Sequence, residues 1–280
     1  MASVGFWLTG LERGVMLGGL SLALGGLAGR GLARQYKGPR PGRLPTPWAL
    51  RGSLLGLAAS ALLLITAVVG PGIAKSLARP APPGLSSGGT AEIAAVELAC
   101  FALAAVLLRF RRSGLAAVLL CCVVLAEGVR SHPEGVIPVA GALLTYCHLL
   151  PAVVWAGMLC YAVRAALAWR KSPTATQGIV RLYATAAAWL FSIIVVTGVI
   201  SALVLVPVGS LFTTAYGLFL IAKAAVVAAV AGLAIAGRAW LRHQPAAGVG
   251  PAAVTKLELS ALAVVLAITG ILTVITPPHT

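Results

Sequence analysis

Residues 145–158, TYCHLLPAVVWAGM, place a histidine inside an apolar run, beside Cys147 and seven residues before Trp155. An imidazole can bind copper, zinc or haem iron, carry a proton, or hydrogen-bond a neighbouring helix. Ionisable groups within a bilayer are costly and usually face other helices or a cavity. The depth of His148 therefore indicates a functional side chain, and a bond to a partner helix is the structural alternative.

Further candidate metal ligands surround this histidine in the chain. Imidazole suits copper and zinc, whereas thiolate suits Cu(I). We predict ligands that run inward from an outer turn at SHPEG, in the order Glu127 and His132, then His148 and Cys147, then Cys121 and Cys122. Each thiol has the alternative role of a small apolar core residue. Because adjacent helical side chains diverge by about 100°, Cys147 and His148 cannot both point at one ion.

A second set of polar residues predicts an ion pair or a gate. Lys223 lies in an apolar segment, where an ammonium needs a carboxylate or a water-filled cavity. Glu97 and Glu127 lie at a compatible depth on other segments. We expect a structural pair that locks the bundle, with a gating role as the alternative. Trp155 follows His148 by two turns on nearly the same helical face and is expected beside it.

The elements that carry these residues are membrane helices. The chain has 280 residues, of which 60% are hydrophobic and 10% are charged, far too few charges for a soluble surface. Runs of about 20 apolar residues span a bilayer as helices. We predict an all-α, polytopic transmembrane bundle of about eight helices, at 14–33, 48–70, 91–109, 114–130, 136–168, 182–206, 215–240 and 256–276. Residues 1–130 and 131–280 form two four-helix regions of one integrated membrane domain.

The charges predict the orientation of this bundle. The net charge is +15, and most basic residues fall in alternate connections, which stay in the cytoplasm. Both termini are therefore expected on the extracytoplasmic side of a cytoplasmic membrane. The same distribution argues against nucleic acid as a partner, since the bilayer accounts for the charge.

Several blocks resemble the CopD copper-resistance family, which includes YcnJ-type copper-uptake proteins. HLLPAVVWAGM is similar to the HLLAAxxWxGG signature of that family. VTGVISALVLV, LFTTAYGLFLIAKAAVVAAV and KLELSALAVVLAITGILTVITPPH follow in the family's order. Pro151 and Met158 depart from the signature, and the chain has three methionines, too few for a methionine-rich copper path.

The resemblance implies that copper ions are moved inward across the membrane, with an extracytoplasmic copper-binding protein as a partner. It draws attention to five residues, which are His132, His148, Trp155, Lys223 and Glu258. Two other interpretations stay open. One is a haem-binding electron carrier of the cytochrome b type, with His132 and His148 as the axial ligands. The other is a non-catalytic subunit of a membrane complex. No Ser-His-Asp or HExxH pattern is present, and we do not expect an enzyme.

Overall fold

The computed structural model describes residues 4–76, 87–130 and 138–205, together with isolated positions between 209 and 232. Within these ranges every regular element is a helix, which confirms the predicted all-α class. The elements are α1 (Val4–Leu20), a π-helical segment (Ser21–Gly25), α2 (Gly26–Arg34), α3 (Ala49–Ser76), α4 (Ser87–Arg109), α5 (Ser113–Val129), α6 (Pro138–Ala168) and α7 (Pro173–Leu205).

Five helical stretches are long and apolar enough to cross a membrane. They are Leu8–Arg34, Ala49–Val69, Ala91–Arg109, Val139–Ala168 and Pro173–Val204. Helix α5 is apolar but shorter. The chain is therefore a multi-pass membrane protein. The predicted segment 256–276 and most of the segment 215–240 lie outside the described residues, so the count of eight helices stays a prediction.

The first helix differs from its predicted bounds. Hydropathy placed its start at residue 14, because Glu12 and Arg13 interrupt the apolar pattern. In the structure the helix begins at Val4, and both charged residues lie inside it and are buried. Both have neighbours on other helices. The hydroxyl of Thr66 in α3 donates a hydrogen bond to Glu12 over 3.1 Å, and Arg13 interacts electrostatically with Glu97 of α4 and Glu127 of α5.

Helices α1 to α6 pack around a common apolar core. Helix α3 lies between α1 and α4, α5 lies between α4 and α6, and the π segment and α2 close the bundle against α6. The most completely buried side chains include Met16, Phe101, Leu120 and Val153. Helix α7 packs chiefly on α6. Many of its large apolar side chains are exposed, Trp189 most of all.

The π segment crosses α6 with almost no space between the two backbones. A Cβ atom added at Gly25 would lie 2.6 Å from the Cα of Gly157, and one added at Gly157 would overlap the carbonyl of Ser21. Small residues permit such close approach of membrane helices. The hydroxyl of Ser21 donates to the Leu17 carbonyl over 2.8 Å, which satisfies that polar group inside the apolar core.

Most of the described basic residues gather at one end of the bundle. Short connections at 110–112 and 169–172 join antiparallel helices there, and the long connection 35–48 lies at the same end. Tyr161 near the end of α6 donates to the carbonyl of Pro45 over 3.0 Å, and Tyr36 packs against Trp169. We call this the basic end. The opposite end holds Arg13 and Arg130 together with the described glutamates.

Candidate functional site

His148 lies ten residues into α6, and its ring meets α7. The Nδ1 atom is 3.0 Å from Oγ1 of Thr197. That hydroxyl also lies 2.6 Å from the carbonyl oxygen of Ile193 and donates its single hydrogen there. Because that hydrogen is directed at the carbonyl, we infer that Thr197 accepts a hydrogen bond from Nδ1–H of the imidazole. A neutral ring in this tautomer carries its lone pair on Nε2, one of the two histidine nitrogens that bind metals.

The sequence on both helices makes room for this contact. Gly198 follows the threonine, and a Cβ atom added there would lie 3.0 Å from Cε1 of His148. Helix α6 continues through Pro151, which has no N–H for the carbonyl of Cys147 one turn earlier. Gly198 on α7 and the missing hydrogen bond at Pro151 on α6 together leave space for the half-buried imidazole.

Trp155 extends the same contact along α6. Its ring packs edge-on against Phe191 of α7, with ring centroids 6.1 Å apart. Trp155 was predicted to lie beside His148 on one face of the helix. The two contacts agree with that prediction, because both side chains face α7. Together with Thr197, these residues form what we call the α6–α7 seam: His148, Trp155, Phe191 and Thr197.

Replacing Thr197 by valine tests how this hydrogen bond holds the ring. Interhelical hydrogen bonds in membrane proteins contribute about 0.6 kcal/mol on average, so we expect a loss of stability below about 1 kcal/mol in detergent. We expect a larger change in the imidazole itself, seen by NMR of ¹⁵N-histidine as a mixture of tautomers. Thr185→Val, at an exposed position of the same helix, serves as the matched control. An unchanged tautomer signal in Thr197→Val would contradict the assignment.

A buried charge cluster lies at the end of the bundle opposite the basic end. Arg130 follows α5 and donates from Nη1 to Glu127 over 2.8 Å and from Nη2 to Glu97 of α4 over 2.9 Å. The exposed fractions of these side chains are 7%, 5% and 0% for Arg130, Glu127 and Glu97. Arg13 of α1 is close enough to interact electrostatically with all three. Two arginines thus balance two glutamates inside the bundle.

The cluster changes the interpretation of two predicted site residues. Glu97 and Glu127 were both predicted as partners of Lys223, and the structure brings them together around a different cation, Arg130. The sequence analysis did not identify this role of Arg130, although its position three residues after Glu127 was an available signal. Lys223, the predicted partner, lies outside the described residues. The carboxylate of Glu127 binds Arg130, which also binds Glu97 of α4. Glu127 therefore has a structural role in holding α5 against α4.

The cysteines do not join His148 in one cluster. Cys147 and Cys122 are exposed on the bundle surface, and Cys121 lies near Tyr146 in a partly buried position. In the parts of the chain that the structure describes, no three His, Cys, Asp or Glu side chains are grouped to hold a metal ion. The exposure of Cys147, beside a half-buried His148, agrees with the predicted divergence of the two side chains. His132 and Glu258 lie outside the described ranges.

One comparison with known proteins identifies a family segment. The family model of Copper resistance protein D, CopD, matches residues 177–276. This range contains most of α7, including Thr197, and confirms the predicted resemblance from VTGVISALVLV onward. The HLLPAVVWAGM block, residues 148–158, precedes the matched range. No curated protein and no solved structure matches the chain.

Proposed function

We propose, from the CopD match over residues 177–276, that this membrane protein moves copper ions inward across the cytoplasmic membrane. The match supports a role in copper resistance or copper handling at a membrane. The inward direction is our own extension, and so is the view that the chain acts as a transport or handling protein and not as an enzyme.

The observation that carries the proposal is the bond between His148 and Thr197. It joins the HLLPAVVWAGM block to the VTGVISALVLV block, and the second of these lies inside the matched range. The bond directs Nδ1 toward the hydroxyl, so that Nε2 is the nitrogen suited to an ion. A hydrogen bond that fixes the tautomer in this way is the usual arrangement around metal-binding histidines.

The remaining residues extend this proposal toward the outer surface. His132 lies six residues before the start of α6 in the sequence, and we propose that it meets copper before His148 does. An extracytoplasmic copper-binding protein would deliver the ion there. Glu127 has a smaller part than the sequence alone predicted, since Arg130 binds its carboxylate. The copper ion is the cargo of this path and not a resident cofactor.

Replacing His148 by alanine tests the copper assignment. We expect purified wild-type protein to bind copper, and we expect His148→Ala to bind at least about tenfold more weakly, since a lost metal ligand removes a strong bond. His243→Ala, in the connection before the last apolar segment, is the control histidine. Metal analysis and an optical spectrum of all three proteins make the comparison.

Three outcomes separate the alternatives. Equal copper binding by wild type and His148→Ala would contradict the role of this histidine. A Soret band in the purified wild type would favour the haem-binding electron carrier, with His132 and His148 as ligands. The direction is tested in cells: deletion lowers cellular copper if the protein imports the ion and raises it if the protein exports it.

A further inference from the structure

The basic end contains a crevice where arginines surround one tryptophan. The guanidinium carbon of Arg164 lies 4.1 Å from the ring centroid of Trp48, and that of Arg51 lies 6.0 Å from it. Arg164 also donates from Nη1 to the carbonyl of Thr46 over 2.9 Å, which fixes its position. Two cations are therefore held against the same indole, although like charges repel each other.

More positive charge lies close by. Arg30 and Arg34 of α2 are near enough to Tyr161 to interact electrostatically with its hydroxyl, as Arg164 also is. The Nε atom of Arg30 is buried without a hydrogen-bond partner among the described residues. The glutamates in the described ranges, which are Glu12, Glu92, Glu97 and Glu127, all lie toward the other end of the bundle. Within the described chain, protein carboxylates do not neutralise this group of arginines.

The surface below these charges is apolar. The narrow crevice is lined by residues that include Leu22, Trp48, Gly157, Cys160, Tyr161 and Arg164, and Arg51 adjoins it across the Trp48 ring. It lies where the π segment, the start of α3 and the second half of α6 meet. Trp48 is 38% exposed, and tryptophan at a helix end is typical of the membrane–water interface. The crevice thus combines arginines with apolar side chains, at a position typical of the membrane–water interface.

We propose that this crevice binds an anionic phospholipid, with the phosphate between Arg51 and Arg164 and one acyl chain along Leu22 and Cys160. Planar guanidinium groups match the geometry of phosphate and can bind it with two hydrogen bonds, and basic pockets between membrane helices bind such headgroups. The apolar lining favours a lipid over free phosphate. The lipid would offset the repulsion between the arginines and fasten α3 to α6. Lipid binding here does not depend on copper, and its test succeeds or fails apart from the proposed transport.

The test measures lipid binding to the full chain in a non-ionic detergent by native mass spectrometry. The probes are phosphatidylglycerol, phosphatidylcholine with the same acyl chains, and glycerol phosphate, which has the headgroup phosphate without tails. We expect the wild type to bind phosphatidylglycerol at least about tenfold more tightly than phosphatidylcholine. The double variant Arg51→Gln with Arg164→Gln should lose that preference, since each arginine near a phosphate contributes about fivefold.

The control is the double variant Arg170→Gln with Arg181→Gln. It removes the same charge at the same end from exposed positions, and it should keep the preference. The single variant Arg51→Gln changes an exposed side chain and should weaken phosphatidylglycerol binding about fivefold. It tests the proposal even if proteins that carry Arg164→Gln fail to fold. Equal binding of the two lipids, equal losses in both double variants, or full competition by glycerol phosphate would each overturn the proposal.

Discussion

Replacing Arg130 by glutamine is expected to lower the free energy of unfolding by about 3–5 kcal/mol. The reason is that Glu97 and Glu127 would be left buried without the guanidinium that binds both of them. Removing one partner of a buried ion pair is far more costly than removing both. Unfolding in detergent, followed by tryptophan fluorescence during heating or titration with denaturant, measures the difference.

Two further variants make this prediction specific. Arg181→Gln removes the same charge from an exposed position of α7 and should change stability by less than about 0.5 kcal/mol. Glu97→Gln combined with Arg130→Gln leaves Glu127 with Arg13 as a balanced pair, so the double variant should be more stable than Arg130→Gln alone. If Arg130→Gln were as stable as Arg181→Gln, the cluster would contribute nothing to the bundle.

Replacing Gly157 by alanine should be nearly as damaging, with an expected loss of about 3 kcal/mol. The added methyl group would overlap the backbone carbonyl of Ser21, which cannot move without separating the π segment from α6. Inserting atoms into a packed site typically costs 1–3 kcal/mol and more where the backbone must shift, so about 3 kcal/mol lies at the upper part of that range.

Gly18→Ala provides the matched control for that substitution. Gly18 lies in α1 just before the π segment, and a Cβ atom there would meet no atom within 4 Å. The change should leave stability unaltered or raise it by up to about 1 kcal/mol, because alanine favours a helix over glycine. The two substitutions are compared by thermal unfolding in the same detergent. Equal stability of the two variants would show that the crossing has room that the structure does not display.

Hydropathy predicted the middle of the bundle well because those helices are apolar along most of their length. The expected segments 91–109, 114–130 and 136–168 agree with α4, α5 and α6 within a few residues. Helix α7 begins at Pro173, nine residues before the predicted start. Its first turns contain polar residues, and proline suits the first position of a helix whatever the hydropathy there. Helix ends follow backbone hydrogen bonding, which an apolar window does not report.

The site was predictable in its types of residue but not in its pairing. A histidine at the depth of His148 had to meet a helix or an ion, and the structure supplies Thr197 as its partner. Nothing in the spacing of single helices specifies which of them meet, because that depends on packing across the bundle. For the same reason Arg130 was missed between two glutamates from different helices. In the sequence, Glu97, Glu127 and Arg130 are three separate charged residues, and only the packing of the helices brings them together in one buried cluster.

The π segment also sets the rotational phase of everything that follows it in the first membrane crossing. A π turn contains one residue more than an α turn, so it rotates the later side chains by about 100° relative to a regular helix. This offset lets Gly19 face α3 while Gly29 faces the ring of Tyr161. Deleting one residue between Ser21 and Gly25 would restore the regular helix and turn Gly29 and Arg30 toward different neighbours. The single extra residue of the π segment therefore couples the direction in which α1 presents Arg13 to the charged cluster at one end of the bundle to the direction in which α2 presents its arginines at the other end.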